Sequence, residues 1–215
     1  MTEIDETAGM SEAGRHEWEL MVAGEVYQDS HPDIERKRAE AKRLFVEYNK
    51  TDYEDVERRR EIMERLFKSI GEDVFIEPNF RCEVGRNITI GSHAYINFDC
   101  VMLDNAPITL GDYVWIAPMV GLFATNHALD FEERKNGACQ AKPIVIGNGV
   151  GLRGPVTVLG GVAIGDGAVI GAGAAVTHDI PDNCIAVGNP ARVLREITDE
   201  DRTGFMERIK ARDAA

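Results

Sequence analysis

From Ile144 to Ile180 the apolar residues recur every six positions. One series runs Ile146, Leu152, Val158, Ile164, Ile170, Val176, and a second, two residues earlier, runs Ile144, Val150, Val156, Val162, Ala168, Ala174, Ile180. Glycine follows the first series at Gly147, Gly165 and Gly171. A period of six suits neither an isolated helix nor a hairpin sheet. It predicts a left-handed parallel β-helix in which three hexapeptides make one triangular turn of about 18 residues. Parallel hydrogen-bond ladders then stack the turns about 4.8 Å apart.

The same rhythm runs upstream. Cys82, Ile88, Ala94 and Cys100 form one series, and Val84, Ile90, Ile96 and Met102 the other. After a two-residue slip around Asn105–Pro107 it resumes at Ile108, Val114, Val120 and at Leu110, Ile116, Leu122. An 18-residue turn places Cys82 and Cys100 one above the other as reduced thiols. From Phe123 to Pro143 the rhythm halts, and an irregular insertion of this length in a compact domain usually carries function.

Before the prism the period is helical. Trp18 to Tyr27 predicts a short helix closed near Gly24 and followed by an extended piece. Pro32 and Asp33 open a second helix whose buried face is Ala41, Leu44, Phe45 and Tyr48. A third, from about Asp52, repeats that spacing at Met63, Leu66, Phe67 and Ile70 and ends at Gly71. Its charged stripe Glu57–Arg60 is expected on the solvated face. The organisation is therefore mainly β: a disordered acidic tail (1–15), a helical cap (16–71) that covers the open end of the prism, the prism itself (72–190) with an inserted loop (123–143), and a C-terminal extension (191–215). The extension reads as a strand or helix lying back along the prism.

Composition narrows the class. With 24 basic and 37 acidic residues the formal net charge is −13, which argues against nucleic acid as a partner. No apolar run reaches membrane-spanning length, and Met1 to Arg15 has no apolar stretch of a secretory signal. Four cysteines without CxxC spacing (Cys82, Cys100, Cys139, Cys184) suit a reducing cytoplasm. The surface is lysine-poor as well as acidic, a compositional hint of a high-salt host.

Of the five histidines, His16 and His31 precede the prism, His93 follows a Gly-Ser corner and His178 sits near the last turn. Only His127 lies in the loop that breaks the repeat. It is either a surface loop histidine or a general base, since neutral imidazole can accept a proton near neutral pH. No GxSxG elbow points to a covalent acyl-enzyme. Cys139 shares the loop, and as a nucleophile it would impose ping-pong kinetics.

Met21-Val-Ala-Gly-Glu-Val-Tyr27, Ile76-Glu-Pro78, Phe80-Arg-Cys82, Asn97-Phe-Asp-Cys-Val-Met-Leu-Asp104, the His127 loop and Gly188-Asn-Pro-Ala-Arg192 together resemble the maltose/galactoside O-acetyltransferase family, with its nodulation-type relatives, over roughly residues 17–197. The resemblance implies an acetyl-CoA-dependent transfer of acetyl to a sugar hydroxyl in a ternary complex, by a cytoplasmic homotrimer with sites between neighbouring prisms and no metal. It makes His127, within Thr125-Asn-His127-Ala-Leu-Asp130, the catalytic base, and Cys139 a wall of the acceptor pocket. Asp29, Arg38, Glu83, Asn97 and Asp104 match or neighbour acceptor-binding positions. Ala117, Lys142, Gly154, Ala172, Thr177, His178, Arg192 and Arg195 fall on the CoA side. The Gly154 amide is the candidate to polarise the thioester oxygen, and Arg192 and Arg195, helped by Lys142, are candidates for the CoA phosphates.

Two departures from the family pattern stand out: Gly151 where tryptophan is usual, and His178 where lysine is usual. Both bear on the substrate more than on the reaction. The rival readings are a non-sugar or xenobiotic acceptor, a metal-dependent hydratase using His93, His127 and His178, and a non-catalytic scaffold.

Overall fold

The computed structural model describes residues 5–214. Three helices come first: α1 (Glu12–Ala23), α2 (Pro32–Tyr48) and α3 (Val56–Leu66). Each starts on a side-chain cap that satisfies an orphan amide. Ser11 Oγ accepts from Gly14 N at 3.0 Å, His31 Nδ1 from Asp33 N at 3.2 Å, and Asp55 Oδ1 from Arg58 N at 3.1 Å. Gly24, in the left-handed region at φ 83°, closes α1 and turns the chain into the strand Val26–Gln28.

The expected disordered tail is corrected from Asp5 onward; Met1–Ile4 lie outside the described residues. Met10 is buried, Glu6 pairs with Arg86, and the helix already begins at Glu12. The third helix ends at Leu66, and Ser69–Ile70 is already the first strand of the prism. Gly71 is therefore not a helix terminator but the first prism corner. Arg59 leaves the solvated stripe. It is buried, donates to Tyr48 Oη and the Ile76 carbonyl at 2.6 Å each, and lies over the Tyr48 ring. A guanidinium satisfied in this way can join the cap to the prism core.

The prism has three parallel sheets. The first contains Ser69–Ile70, Ile88–Ile90, Ile108–Leu110, Ile144–Ile146 and Ala163–Ile164. The second contains Phe75–Ile76, Tyr95–Ile96, Trp115–Ile116, Gly151–Leu152, Val169–Ile170 and Cys184–Val187. The third contains Arg81–Cys82, Val101–Leu103, Gly121–Phe123, Thr157–Leu159 and Ala175–Val176. The predicted apolar series line the interior; Ile88, Ile96, Leu122, Val150, Val158 and Ile170 are all fully buried.

Turn length is not constant. Corner hydrogen bonds link residues 20 apart at Ser92–Asp112, 18 apart at Asn148–Asp166 and 16 apart at Asp166–Asp182. The expected stacking of Cys82 on Cys100 fails for this reason: Cys82 lies beside Met102. A two-residue slip like that at Asn105–Pro107 has already occurred between Val84 and Ile88, which moves Cys82 into the other apolar series. All four cysteines are free and buried.

The C-terminal extension returns as an antiparallel strand, Arg192–Glu196, on Cys184–Val187. A short 3₁₀ turn and the exposed helix Phe205–Asp213 follow.

Asp104 braces the first slip. It is fully buried at the corner between the third and first sheets, where Oδ1 accepts from the Glu83 and Val84 amides at 3.0 and 2.9 Å and Oδ2 from Asn87 N at 3.2 Å. Burial pushes its carboxyl up to about 6 against the opposing pull of these amides. The native state therefore holds this proton from about pH 4 to about pH 6 while the unfolded chain releases it, so the group's contribution to stability falls as pH rises through that window. Replacing Asp104 with Ala should strand three amides, lower the unfolding free energy by about 3 kcal/mol, and flatten that acid slope. Denaturant titration from pH 4 to pH 8 measures both effects.

Candidate active site

The insertion is not an irregular loop. It is a hairpin of two strands, Thr125–His127 and Ala138–Ala141, joined through the short helix Phe131–Lys135, and Val26–Gln28 of the cap adds a third antiparallel strand. Ala138–Ala141 lies in the centre, with Tyr27 opposite Cys139 on one side and His127 opposite Cys139 on the other. Directly paired residues project from the same face of a sheet. Tyr27, Cys139 and His127 are thus brought into one row by backbone register.

The polar contacts continue from this row. Tyr27 Oη donates to Asp29 Oδ1 at 2.9 Å and accepts from Asn105 Nδ2 at 3.0 Å, and Thr125 Oγ1 donates to Asn105 Oδ1. Arg38, 5% exposed, holds the Asp29 carboxylate and donates to the Asp29 carbonyl at 2.9 Å. Glu83 Oε1 stands 2.5 Å from Arg38 Nε as an ion pair, but off the N–H direction, so that buried proton lacks a hydrogen-bond acceptor. Burial and the Asp29 charge both raise the Tyr27 phenol far above its ordinary value, keeping it neutral.

His127 is exposed, and its Nδ1 lies 3.0 Å from the buried Cys139 Sγ. Burial, with the Asp29 charge adding to it and Arg38 opposing, pushes the Cys139 thiol up to about 11. An un-ionised, buried thiol is a poor nucleophile.

The candidate residues divide between two corners of the prism. At the corner from the third sheet to the first are Glu83, Asp104, the hairpin with His127 and Cys139, Lys142, Thr177 and His178, with Asp29 and Arg38 joined to them from the cap. Asp104 is spent on backbone amides and serves as a corner brace rather than a ligand group. At the corner from the second sheet to the third are Asn97, Ala117, Gly154 and Ala172, on successive turns.

Gly154 comes so close to the neighbouring turn that an added Cβ would stand 2.0 Å from the Pro118 carbonyl oxygen. Among the described residues its amide has no protein acceptor. Gly151 lies beside Trp115, and a Cβ there would meet nothing nearer than the Arg153 side chain at 3.9 Å, so the wall is open at this position.

The cations differ in availability. Among the described residues Lys142 and Arg192 carry no carboxylate partner, whereas Arg195 is clamped by Asp201 through bonds of 2.7 and 2.6 Å. Arg195 would have to release Asp201 to meet a phosphate. His178 shares a surface groove with Arg192, and its Nδ1 lies 2.8 Å from Thr177 Oγ1. Among the described residues no three metal-ligating side chains converge, and no helix is long and apolar enough to cross a membrane.

Residues 20–71 match the maltose acetyltransferase hexapeptide capping motif. The galactoside O-acetyltransferase of Escherichia coli (strain K12) is 39% identical over 192 residues, 89% of this chain and 95% of that protein. The chain belongs to the maltose/galactoside O-acetyltransferase family.

Solved structures of the family agree in shape. A maltose O-acetyltransferase from Clostridium difficile 630 superposes with a TM-score of 0.83 at 38% identity, covering 85% of this chain and 98% of that one. A galactoside acetyltransferase in complex with coenzyme A gives 0.83 at 41% identity, covering 86% and 92%. The chain is by this membership a hexapeptide-repeat acyltransferase. Resemblance marked Asn105, with Glu83, as a position where family members vary, but did not single out Tyr27, although both sit in the polar chain. The signal for Tyr27 was its place at the end of the Met21–Tyr27 segment.

Replacing Arg38 with Gln should leave Asp29 and Glu83 facing each other without a cation. Because both carboxylates are partly exposed, the cost should be about 2 kcal/mol. The decisive comparison is denaturant midpoints at low and high salt, with salt reducing the difference.

Proposed function

We propose that this chain transfers acetyl from acetyl-CoA to a hydroxyl of a small sugar or glycoside, by direct attack within a ternary complex. The observation that carries the proposal is the His127 imidazole, presented from a rigid sheet beside Asp29, Arg38 and Glu83 with one ring nitrogen engaged and the other open. Carboxylates and a guanidinium gathered at one seam are suited to vicinal hydroxyls. Nε2 takes the hydroxyl proton as the oxygen attacks the thioester carbon. The C–O bond forms, the C–S bond breaks, and the proton passes to the departing thiolate, giving the acetyl ester and CoA.

The Gly154 amide, free of a protein acceptor, is suited to the thioester oxygen as it gains charge. The narrow approach to Pro118 leaves no room for a side chain there. Lys142 and Arg192 are suited to the phosphates of the cosubstrate, and Ala117, Ala172 and Thr177 to its pantetheine arm.

The division of candidate residues between two corners supports a homotrimer. His127 and the cap stand at one edge of the triangular section, Asn97 and Gly154 at another. In a closed ring of three prisms, one edge of each subunit meets the other edge of its neighbour, completing three sites. Four unpaired, buried cysteines are in keeping with a cytoplasmic location.

An acceptor panel of maltose, glucose, galactosides and chitin oligomers, followed by thiol release from acetyl-CoA, tests the substrate class. Activity confined to non-sugar hydroxyls would replace it. His127→Ala should lower kcat by about 10²-fold or more with little change in acetyl-CoA affinity. Near-normal turnover removes the imidazole from its role.

Sites shared between subunits make a further prediction. Unfolding and refolding His127→Ala together with Asn97→Ala should restore about one quarter of wild-type turnover by random assortment. A mixture no more active than its parents would put each site within one chain.

A further inference from the structure

The contact between Cys139 and His127 has a consequence beyond lining a pocket. Among the described residues, Cys139 Sγ is the one protein atom hydrogen-bonded to the His127 ring, 3.0 Å from Nδ1. The pair is set by backbone, since His127 and Cys139 face each other across the two strands of the hairpin and Tyr27 holds Cys139 from the other side. Cys139 is 2% exposed, so the sulfur is a fixed floor under an exposed ring.

A contact of this kind can run in two directions. If the thiol donates to Nδ1, the ring proton resides on Nε2, which then cannot act as a base. If Nδ1–H donates to sulfur, Nε2 keeps its lone pair toward solvent. We propose that Cys139 is a positioning residue for His127, its sulfur accepting the Nδ1 proton and so fixing the tautomer whose Nε2 is the base. This rests on the reading of His127 as the general base.

The surroundings leave the sulfur as the ring's partner. Oδ1 of the nearby Asp29 carboxylate is engaged by Arg38 and by the Tyr27 hydroxyl, and the Tyr27 oxygen also receives Asn105. Neither is a hydrogen-bond partner of the imidazole. Burial keeps the thiol protonated at neutral pH, its value raised to about 11. The sulfur is therefore a neutral thiol and not a thiolate, and it acts on the acceptor through the ring alone.

The test compares wild type, Cys139→Ala, Cys139→Ser and His127→Ala as full-length protein. Steady-state kinetics are combined with ¹⁵N spectra of histidine-labelled samples. A hydroxyl can accept the same proton, whereas a methyl cannot. Cys139→Ala should lower kcat about tenfold with the KM for acetyl-CoA within about twofold of wild type, and Cys139→Ser should recover most of the loss. The His127 resonances should report Nδ1–H in wild type and the serine variant and shift toward Nε2–H in the alanine variant.

An alanine variant with wild-type kcat and an unchanged tautomer overturns the proposal. So do parallel-line kinetics in wild type with both cysteine variants inactive, which would make Cys139 a nucleophile. Should the alanine variant not fold, kcat and the tautomer in Cys139→Ser decide alone: loss of either rejects the assignment. Full activity in His127→Ala, by contrast, rejects the general-base reading itself.

Discussion

The structure depends on how one turn of the prism grips the next at a corner. The Glu72 amide reaches Ser92 Oγ, Ser92 reaches Asp112, Asp112 reaches Asn148, Asn148 reaches Asp166, and Asp166 reaches Asp182, each over 2.7 to 3.2 Å. These are backbone donors that would otherwise be left unpaired where the chain changes sheet. Each sits one residue after a glycine because the backbones nearly touch; at Gly111 an added Cβ would stand 2.6 Å from Asn148 Oδ1. The ladder crosses the insertion without a break, since Asp112 and Asn148, 36 residues apart, bond at 2.9 Å like adjacent turns. Loop-closure entropy grows slowly with length, so a fixed corner lets the chain leave, build a hairpin and return without losing register.

That hairpin gives the cap a second role. Covering the open end of a prism protects exposed strand edges, and α2 and α3 do so through Tyr48 and Arg59. The strand Val26–Gln28 reaches past that end and pairs with the returning strand of the insertion. Catalytic geometry is better held on strands than on free loops. Tyr27, Cys139 and His127 are aligned by cross-strand register, and Asp29 and Arg38 then join the row from the cap. The cap is thus part of the candidate site as well as a lid on the core.

How legible this was depends on the range of the interaction. The period of six exposed the prism because each turn repeats a local pattern. Its slips were only half legible: the one at Asn105–Pro107 interrupts both series, whereas the one between Val84 and Ile88 is masked because Cys82 is apolar enough for either series. Gly71 misled because glycine serves both as a helix terminator and as a close-approach corner. Arg59 looked solvated because its partners, the Tyr48 hydroxyl and the Ile76 carbonyl, are distant in sequence. The hairpin strands were invisible for the same reason, Thr125–His127 having no apolar alternation and pairing through Ala138–Ala141 to the cap. For the site, His127 stood out by position, but the commitment of Asp104 to amides and of Arg195 to Asp201 needed coordinates.

The electrostatics of the seam bear on why the atom beneath the imidazole is sulfur. A carboxylate at that position would hold the imidazolium once it formed. The base proposed here must take a proton from a hydroxyl and then pass it to a departing thiolate, so a strongly stabilised imidazolium would hinder the second transfer. The charge of Asp29, which is joined to the row through the Tyr27 hydroxyl, is matched by Arg38. On the proposed reading, the seam concentrates charge where an acceptor's hydroxyls would be held, and leaves a neutral thiol where the proton would be moved. Orientation of the base is separated from stabilisation of its charged form, and backbone register alone keeps the two apart.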